Sequence, residues 1–270
     1  MTMTPDHSPA PASMSSAFPA SVPHPLAAAP AAVGFLRRHL WSPLLAALLV
    51  SAVLMGAGGD QWLADQFYRL EGQQWALQNA WVTSHLVHRG GKWASSLAAL
   101  IAIVACFHAW RQPRLARWRW PLLYLVLAVA LGTGAVSLLK SLTNMDCPWD
   151  LARYGGAREY IGLFASRPHD MARGICFPAG HSSAGFAWVA LYFFALMVRP
   201  AWRWRGLSVG LVAGATFGLS QQLRGAHFLS HDLWTVTTCW MVSLGLYLGV
   251  QAIAARRQAR GTLQLQGERA

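Results

Sequence analysis

Six stretches of mostly apolar residues restrict what this chain can fold into more than any other feature of its sequence. They cover residues 40–58, 93–110, 121–139, 182–198, 207–223 and 233–253. A helix needs about 20 consecutive, mostly apolar residues to cross the hydrocarbon core of a bilayer. Charged residues make up only 12% of the chain, about half the share in an ordinary soluble domain. The sequence therefore predicts an all-α integral membrane protein, a bundle of six spanning helices.

The fifth apolar stretch carries a row of glycines. Gly210, Gly214 and Gly218 follow one another at four-residue spacing, which places them on one face of a helix. Small residues in such a row let two helix backbones approach closely inside a membrane. We therefore expect this helix to pack tightly against its neighbours.

The basic residues indicate how the predicted spans are oriented. With the N-terminus inside, the inner segments are residues 1–39, 111–120, 199–206 and 254–270. They hold 13 of the 22 Lys and Arg residues but only Asp6 and Glu268 of the ten acidic residues. Cytoplasmic loops carry such an excess of basic residues. We therefore predict a bacterial inner-membrane protein with both termini cytoplasmic, and we interpret the net charge of +12 as topology rather than nucleic-acid binding.

The distribution of apolar and charged residues along the chain also predicts three domains. Residues 1–33 are rich in Ala, Pro and Ser and nearly free of charge, which is typical of disorder. We expect a disordered cytoplasmic tail over 1–38, a six-span domain over 39–254 and a basic cytoplasmic tail over 255–270. Residues 59–92, between the first two spans, are amphipathic and rich in Trp, so they are predicted to form helices lying in the membrane interface.

Ionisable side chains gather at the outer ends of predicted spans three to six. They are Lys140, His181, Arg224, His227, His231 and Asp232. Such residues are costly near a membrane and usually have a function, although they could simply cap the helices at the interface. Three histidines could bind zinc, but a neighbouring Lys and Arg would repel a divalent cation and suit a phosphate. One imidazole could attack phosphorus while a second protonates the leaving oxygen and later activates water, which needs neither metal nor cofactor.

Three short motifs in this region resemble those of the type 2 phosphatidic acid phosphatase (PAP2) superfamily. The run 177–182, Phe-Pro-Ala-Gly-His-Ser, resembles the Pro-Ser-Gly-His motif of that family. Lys140, separated by six residues from Cys147-Pro148, resembles Lys-x6-Arg-Pro, and residues 220–231 resemble Ser-Arg-x5-His-x3-Asp. The resemblance covers residues 40–253 and implies a PAP2-like bundle with its active site on the periplasmic face.

The resemblance implies a role for each matching residue. His227, which follows Gly225 and precedes Phe228, corresponds to the nucleophile, and His181 corresponds to the general acid. Lys140 corresponds to a phosphate ligand. The backbone N–H groups of Gly180 and His181 could also hold phosphate, because the N-terminus of a helix attracts anions.

The motifs differ from the family pattern at four positions. Cys147 and Gln221 stand where the family has Arg, although Arg224 lies almost one helical turn after Gln221. Ala179 stands where the family has Ser, and Ser182 could supply a hydroxyl for phosphate. His231 stands where the family has the Asp that orients the nucleophile, with Asp232 beside it, so either residue could take that role.

A second alignment of the third motif remains open. It uses Arg224 as the motif Arg and His231 as the nucleophile, and it leaves Thr235 at the Asp position. This alignment requires a six-residue gap between Arg and His, so we favour His227 as the nucleophile.

The long outer segment, residues 140–181, offers further candidates. Arg173 is the preferred additional phosphate ligand, because it lies eight residues before His181. Other arginines that could replace the missing cations or balance nearby acids are Arg153, Arg158 and Arg167; His85, His88 and His169 are interpreted as ordinary surface residues. Cys147 and Cys176 flank this segment and are predicted to form a disulfide in an oxidising periplasm, the alternative being two buried thiols.

The predicted function is a metal-independent lipid phosphatase that acts on a phosphomonoester or diphosphate of a membrane lipid through a phosphohistidine. The predicted partners are the lipid substrate and the bilayer. A lipid phosphotransferase with the same site is the first alternative. A non-catalytic lipid-binding protein is the second, and the presence of both His181 and His227 argues against it. The sequence leaves the identity of the lipid open.

Overall fold

The computed structural model describes residues 29–169 and 171–267. Within this part of the chain, the regular structure is helical and contains no β-strand. The seven main helices are α1 (29–56), α2 (Gly59–Leu70), α3 (Val82–Arg111), α4 (Pro113–Leu142), α5 (Ser183–Val198), α6 (Arg203–Leu223) and α7 (Leu229–Gly267). The all-α class predicted from the sequence is therefore confirmed.

Four stretches of these helices are long and apolar enough to cross a membrane. They are Ala32–Gly56 in α1, all of α3, all of α4 and Leu229–Arg257 in α7. Helix α5 is also apolar but has only 16 residues, and α6 is less apolar because it begins with Arg203 and Arg205. Each of the six predicted spans thus coincides with a helix, and four of these helices have the length and composition of a membrane span.

The interior of the bundle lies between α4, α5 and α7. Val136, Val189 and Phe193 are fully buried there, and Tyr247 is nearly so. The hydroxyl of Tyr124 in α4 donates to the carbonyl oxygen of Ser243 in α7 at 3.1 Å. Large apolar side chains on α3 face outward instead, among them Leu97, Leu100, Ile101 and Val104. An apolar exterior of this kind is expected of a surface that contacts lipid chains.

The glycine row of α6 packs as predicted. A methyl group added at Gly210 would overlap the backbone of Val189, and one added at Gly214 would overlap the ring of Phe186. One added at Gly218 would lie 2.6 Å from the carboxylate of Asp232. The row therefore lets α6 approach α5 and α7 more closely than any side chain would permit.

Two helices begin earlier in the chain than the predicted boundaries. The predicted disordered tail extended to residue 38, but residues 29–38 are helical, and the ring of Phe35 stacks on His39 and on Tyr247, with ring centroids 4.0 and 5.8 Å apart. Residues 1–28 of that tail lie outside the described residues. Residues 82–92, predicted to form helices in the interface, are helical and continuous with the second predicted span in α3.

Candidate active site

The turn between α6 and α7 is built around a glycine. Gly225 has a φ of +70°, a backbone conformation that side chains other than glycine rarely adopt, and a Cβ there would overlap the indole of Trp75. The N–H of Trp149 donates to the carbonyl oxygen of Gly225 at 2.9 Å. Beyond the turn, the buried carboxylate of Asp60 accepts the N–H of Ser230 at 2.9 Å and caps α7. These contacts hold His227 in place.

Two imidazoles meet at the start of α7. The Nδ1 atoms of His227 and His231 lie 3.3 Å apart, and both side chains are buried. Burial, followed by the positive potential of His231, Lys140 and His181, keeps the pKa of His227 well below its usual value. His227 is therefore a neutral imidazole, and it retains the lone pair that a nucleophile needs.

His227 opens into a cavity of about 450 Å³ that also contains the candidate cations. The lining includes Lys140 from the end of α4, His181 from the start of α5, Arg224 from the end of α6, and Arg173 from the outer segment. The side chain of Lys140 packs against Gly180, where a Cβ would lie in ordinary van der Waals contact, 3.5 Å from the Nζ atom. The fold thus brings together residues from three sequence motifs.

His181 is accessible from this cavity but lies among cationic groups. Burial, followed by the positive potential of His88, Lys140 and Arg224, lowers the pKa of His181 to about 4. Such an arrangement repels a further cation and attracts an anion. A phosphate group is the anion that this mixture of Lys, Arg and imidazole donors suits best.

The outer arginines differ in their partners. Arg158 and Arg167 both bind the buried carboxylate of Asp146, at 2.5 and 2.8 Å, and Arg153 binds Asp65 at 2.5 Å. Burial alone would raise the pKa of Asp146, but the hydrogen bonds from Arg167 and Arg158 bring it below its usual value. Arg158 lines the cavity, as does Arg173, whereas Arg153 and Arg167 do not.

Arg173 is anchored at the cavity wall. Its guanidinium donates to the carbonyl oxygens of Ser141 and Thr143, the latter at 3.0 Å. This anchoring joins the outer segment to the end of α4, next to Lys140.

A disulfide closes one side of the cavity. Cys147 and Cys176 are joined to each other, with their Cα atoms 5.3 Å apart, and both line the cavity. The carbonyl oxygen of Cys176 lies beside the imidazoles of His227 and His231. Among the described residues, the cluster with metal-ligand spacing is Cys147, Asp150 and Cys176, and the disulfide removes the two thiolates that would bind a metal there.

Two predicted site residues do not reach the cavity. Ser182 is fully buried, and its hydroxyl donates to the carbonyl oxygen of Ala179 at 3.0 Å, so its assignment as a phosphate ligand is corrected. Asp232 accepts a hydrogen bond from Gln222 at 2.7 Å and faces a separate apolar cavity. Successive helix residues point about 100° apart, so Asp232 turns toward α6 because His231 turns toward His227.

The same geometry bears on the choice of nucleophile. His231 is fully buried and does not line the cavity, whereas His227 does. Thr235, at the Asp position of the second alignment, donates to the carbonyl oxygens of Ala179 and His231 at 3.0 and 2.8 Å. This arrangement favours His227 as the attacking group and His231 as its partner.

One residue of this site was missed in the sequence. His88 of α3 lies against His181, with ring centroids 3.9 Å apart, and its Nδ1 atom lies 3.0 Å from Nε2 of Gln221. Its interpretation as an ordinary surface residue is wrong, because α3 begins at Val82 and carries His88 to the level of the other histidines. Extending the second predicted span by three turns toward the N-terminus would have found it.

A second cavity, of about 550 Å³, adjoins the first between α3, α4 and α5. Most of its lining is apolar and includes Ala102, Ile103, Leu125, Val129 and Trp188. The two cavities share His88, Lys140, His181 and Gln221. An apolar space therefore leads directly to the polar groups around His227.

Comparison with known proteins identifies the family but finds no individual relative. No curated protein and no solved structure matches the chain significantly. Residues 121–254 match the sequence model of the PAP2 superfamily, and this stretch carries Lys140, His181 and His227 as well as most of α4 and all of α5 and α6. The chain therefore belongs to the PAP2 superfamily.

Proposed function

We propose that this protein is a metal-independent membrane phosphatase that removes a terminal phosphate from a lipid through a phosphohistidine at His227. Membership of the PAP2 superfamily supports a phosphatase-type activity in general. The observation that carries the specific proposal is the junction of two cavities, one lined by His227, His181, Lys140 and Arg224 and the other mostly apolar.

In the first step, His227 attacks phosphorus. The attacking nitrogen is Nε2, so the proton of the neutral ring is on Nδ1, and the carbonyl oxygen of Cys176 can accept it. A nitrogen–phosphorus bond forms as the bond between phosphorus and the lipid oxygen breaks. The protonated His181 gives its proton to that oxygen, and the lipid leaves as a neutral alcohol or a lipid phosphate.

In the second step, water releases the phosphate. The neutral His181 takes a proton from a water molecule as the water oxygen attacks phosphorus. The nitrogen–phosphorus bond breaks, its electron pair returns to His227, and inorganic phosphate departs. His181 is then protonated again and ready for the next lipid.

Four groups are proposed to hold the phosphate oxygens. Lys140 and Arg224 line the cavity from the ends of α4 and α6, and Arg173 lines it from the outer segment. The backbone N–H of Gly180 begins the turn that leads into α5, where a helix N-terminus favours an anion. Positive groups fixed around the phosphoryl oxygens stabilise the charge that develops in the transition state.

The apolar cavity supports a lipid as the substrate. Its lining comes from α3, α4 and α5, and two of these helices are candidate membrane spans. A hydrocarbon chain lying there would leave its phosphate at His88, Lys140 and His181, next to His227. Burying apolar surface stabilises such binding by about 25 cal/mol for each Å².

We also propose that six of the helices cross the membrane, with the active site on the periplasmic face. They are α1 and α3 to α7. The concentration of Lys and Arg on the opposite ends of these helices supports this orientation. The disulfide between Cys147 and Cys176 supports it as well, because disulfides persist in the oxidising periplasm.

A phosphotransferase remains a second candidate because it would use the same groups. In that case a lipid hydroxyl rather than water would attack the phosphohistidine. The apolar cavity that adjoins the site supports this candidate, because an acceptor lipid can lie there.

The test is release of inorganic phosphate from a panel of lipid phosphates in detergent with EDTA present. Wild-type protein is compared with His227→Ala and His181→Ala, and with His85→Ala as a control, because His85 is exposed and lines neither cavity. We expect EDTA-resistant release that falls by at least about 10³-fold in the first two variants and persists in the control. Full release by His227→Ala would refute the proposal, and transfer to an added lipid alcohol without release would favour the phosphotransferase.

A further inference from the structure

His88 occupies a special position in the molecule. It belongs to α3, outside the stretch that matches the family, and it lines both the cavity around His227 and the apolar cavity. Its ring lies against that of His181, with a distance of 3.9 Å between centroids. None of the steps proposed above uses His88.

The hydrogen bonds around His88 determine which of its nitrogens carries the proton. Arg224 Nη1 donates to Gln221 Oε1 at 3.3 Å, so the amide nitrogen of Gln221 faces His88. That nitrogen lies 3.0 Å from His88 Nδ1, and Arg224 Nη1 lies 3.4 Å from the same atom. Because both neighbours can only donate, Nδ1 of His88 is the acceptor.

The proton of the neutral His88 ring is therefore on Nε2. Among the described residues, no protein group accepts a hydrogen bond from this nitrogen. His88 is half-buried and borders the cavity, so its Nε2–H is free to bind an oxygen atom of a ligand beside His181. The ring thus offers a hydrogen-bond donor to a ligand in this cavity.

We propose that His88 is a further substrate-binding residue, which donates its Nε2–H to an oxygen of the substrate phosphate. This proposal rests on the proposed function, because it takes the ligand to be a phosphate. Gln221 is a positioning residue, because its amide holds Nδ1 of His88 as an acceptor. Gln221 stands where the family motif has Arg, so His88 supplies a donor next to a position that has lost its cation.

Two substitutions at His88 separate its hydrogen bond from its packing. His88→Phe keeps a ring against His181 but has no donor, whereas His88→Gln loses the ring and keeps an N–H at a similar reach. His85→Phe is the matched control, because His85 lies one turn away on the same helix, is exposed and lines neither cavity. The probe is orthovanadate, a phosphate analogue, and its Kd is measured by calorimetry on folded protein in detergent.

Loss of a hydrogen bond to a charged ligand should weaken the binding of that ligand. We expect His88→Phe to raise the Kd for orthovanadate by about 10- to 100-fold, and we expect the Kd of His88→Gln and of His85→Phe to stay within about threefold of wild type. A wild-type Kd in His88→Phe would overturn the proposal. Equal weakening in His88→Phe and His88→Gln would also overturn it, since the ring would then matter only for packing.

The same measurements distinguish this proposal from the proposed function. If wild-type protein releases no phosphate from any lipid but binds orthovanadate with a Kd that His88→Phe raises, the phosphatase is contradicted and the role of His88 in anion binding is supported. Wild-type protein that releases phosphate, with a Kd for orthovanadate unaffected by His88→Phe, would support the phosphatase and contradict the role of His88.

Discussion

Among single residues, His181 has the surroundings that bear most directly on the chemistry. Burial and the nearby His88, Lys140 and Arg224 lower its pKa to about 4, yet a general acid must carry a proton. A bound phosphate brings negative charge into contact with the ring, and negative charge raises the pKa of an imidazole. In the proposed mechanism, the substrate therefore helps to protonate His181.

This coupling predicts the pH dependence of the reaction. The ratio kcat/KM reports the free enzyme and kcat reports the complex. We expect kcat/KM to fall as pH rises above about 4, because free His181 loses its proton there. The decline of kcat should begin at a higher pH. Steady-state rates from about pH 4 to about pH 8 would show this, and a kcat/KM that rises across that range would contradict the assignment of His181 as the acid.

Sequence motifs predicted some of these residues and missed others for a physical reason. Lys140, His181 and His227 could be found because each stands at a helix end within a short motif, and the fold brings those ends together. His88 was missed because it lies outside these motifs and because the second span was predicted to start at residue 93, whereas α3 starts at Val82. Asp232 was misassigned because the side chain of its neighbour His231 points toward His227, and that of Asp232 points elsewhere.

At the scale of helices, the contact between α5 and α6 positions two segments that carry proposed catalytic residues. His181 precedes α5, and Arg224 and His227 follow α6. Gly214 of α6 touches the ring of Phe186 in α5, and Gly185 of α5 touches the backbone at Gly214. A change in the spacing of these helices would therefore move His181 relative to His227.

Substitution of Gly214 tests this contact. Gly214→Ala places a methyl group into the Phe186 ring and should lower the free energy of unfolding by about 1–3 kcal/mol. Gly245→Ala is the matched control on α7, where a Cβ meets no atom within 4 Å and should stabilise the helix by about 0.5–1 kcal/mol. Thermal unfolding in detergent would compare them. Equal shifts of Tm in the two variants would show that the close contact has no effect.

Helix positions could be predicted from the sequence more readily than helix ends. Apolarity marks the part of a helix that lies in the hydrocarbon core, and each of the six predicted stretches contains a helix. The ends continue into polar sequence, as α3 does over residues 82–92 and α7 does beyond residue 254. Those extensions depend on packing, such as that of Arg257 over the ring of Trp120, which hydropathy does not encode.

For the whole molecule, the proposed orientation predicts which surfaces face each side of the membrane. Ser166 lies in the outer segment and Gln112 lies between α3 and α4, and both are exposed. In intact bacterial cells, a membrane-impermeant maleimide should label Ser166→Cys, whereas Gln112→Cys should react only after the membrane is opened. The native cysteines give little background, because Cys106 and Cys239 are buried and the other two are joined. The reverse pattern of labelling would contradict the proposed orientation and indicate the opposite one.

The most direct test of the central claim is a single-turnover reaction with a lipid carrying a radiolabelled terminal phosphate, stopped in base. Phosphohistidine survives base and is lost in acid, so the protein should retain base-stable label on the peptide that contains His227. His227→Ala should carry no label and release no phosphate. Label on a different residue, or phosphate release by His227→Ala at the wild-type rate, would contradict the account.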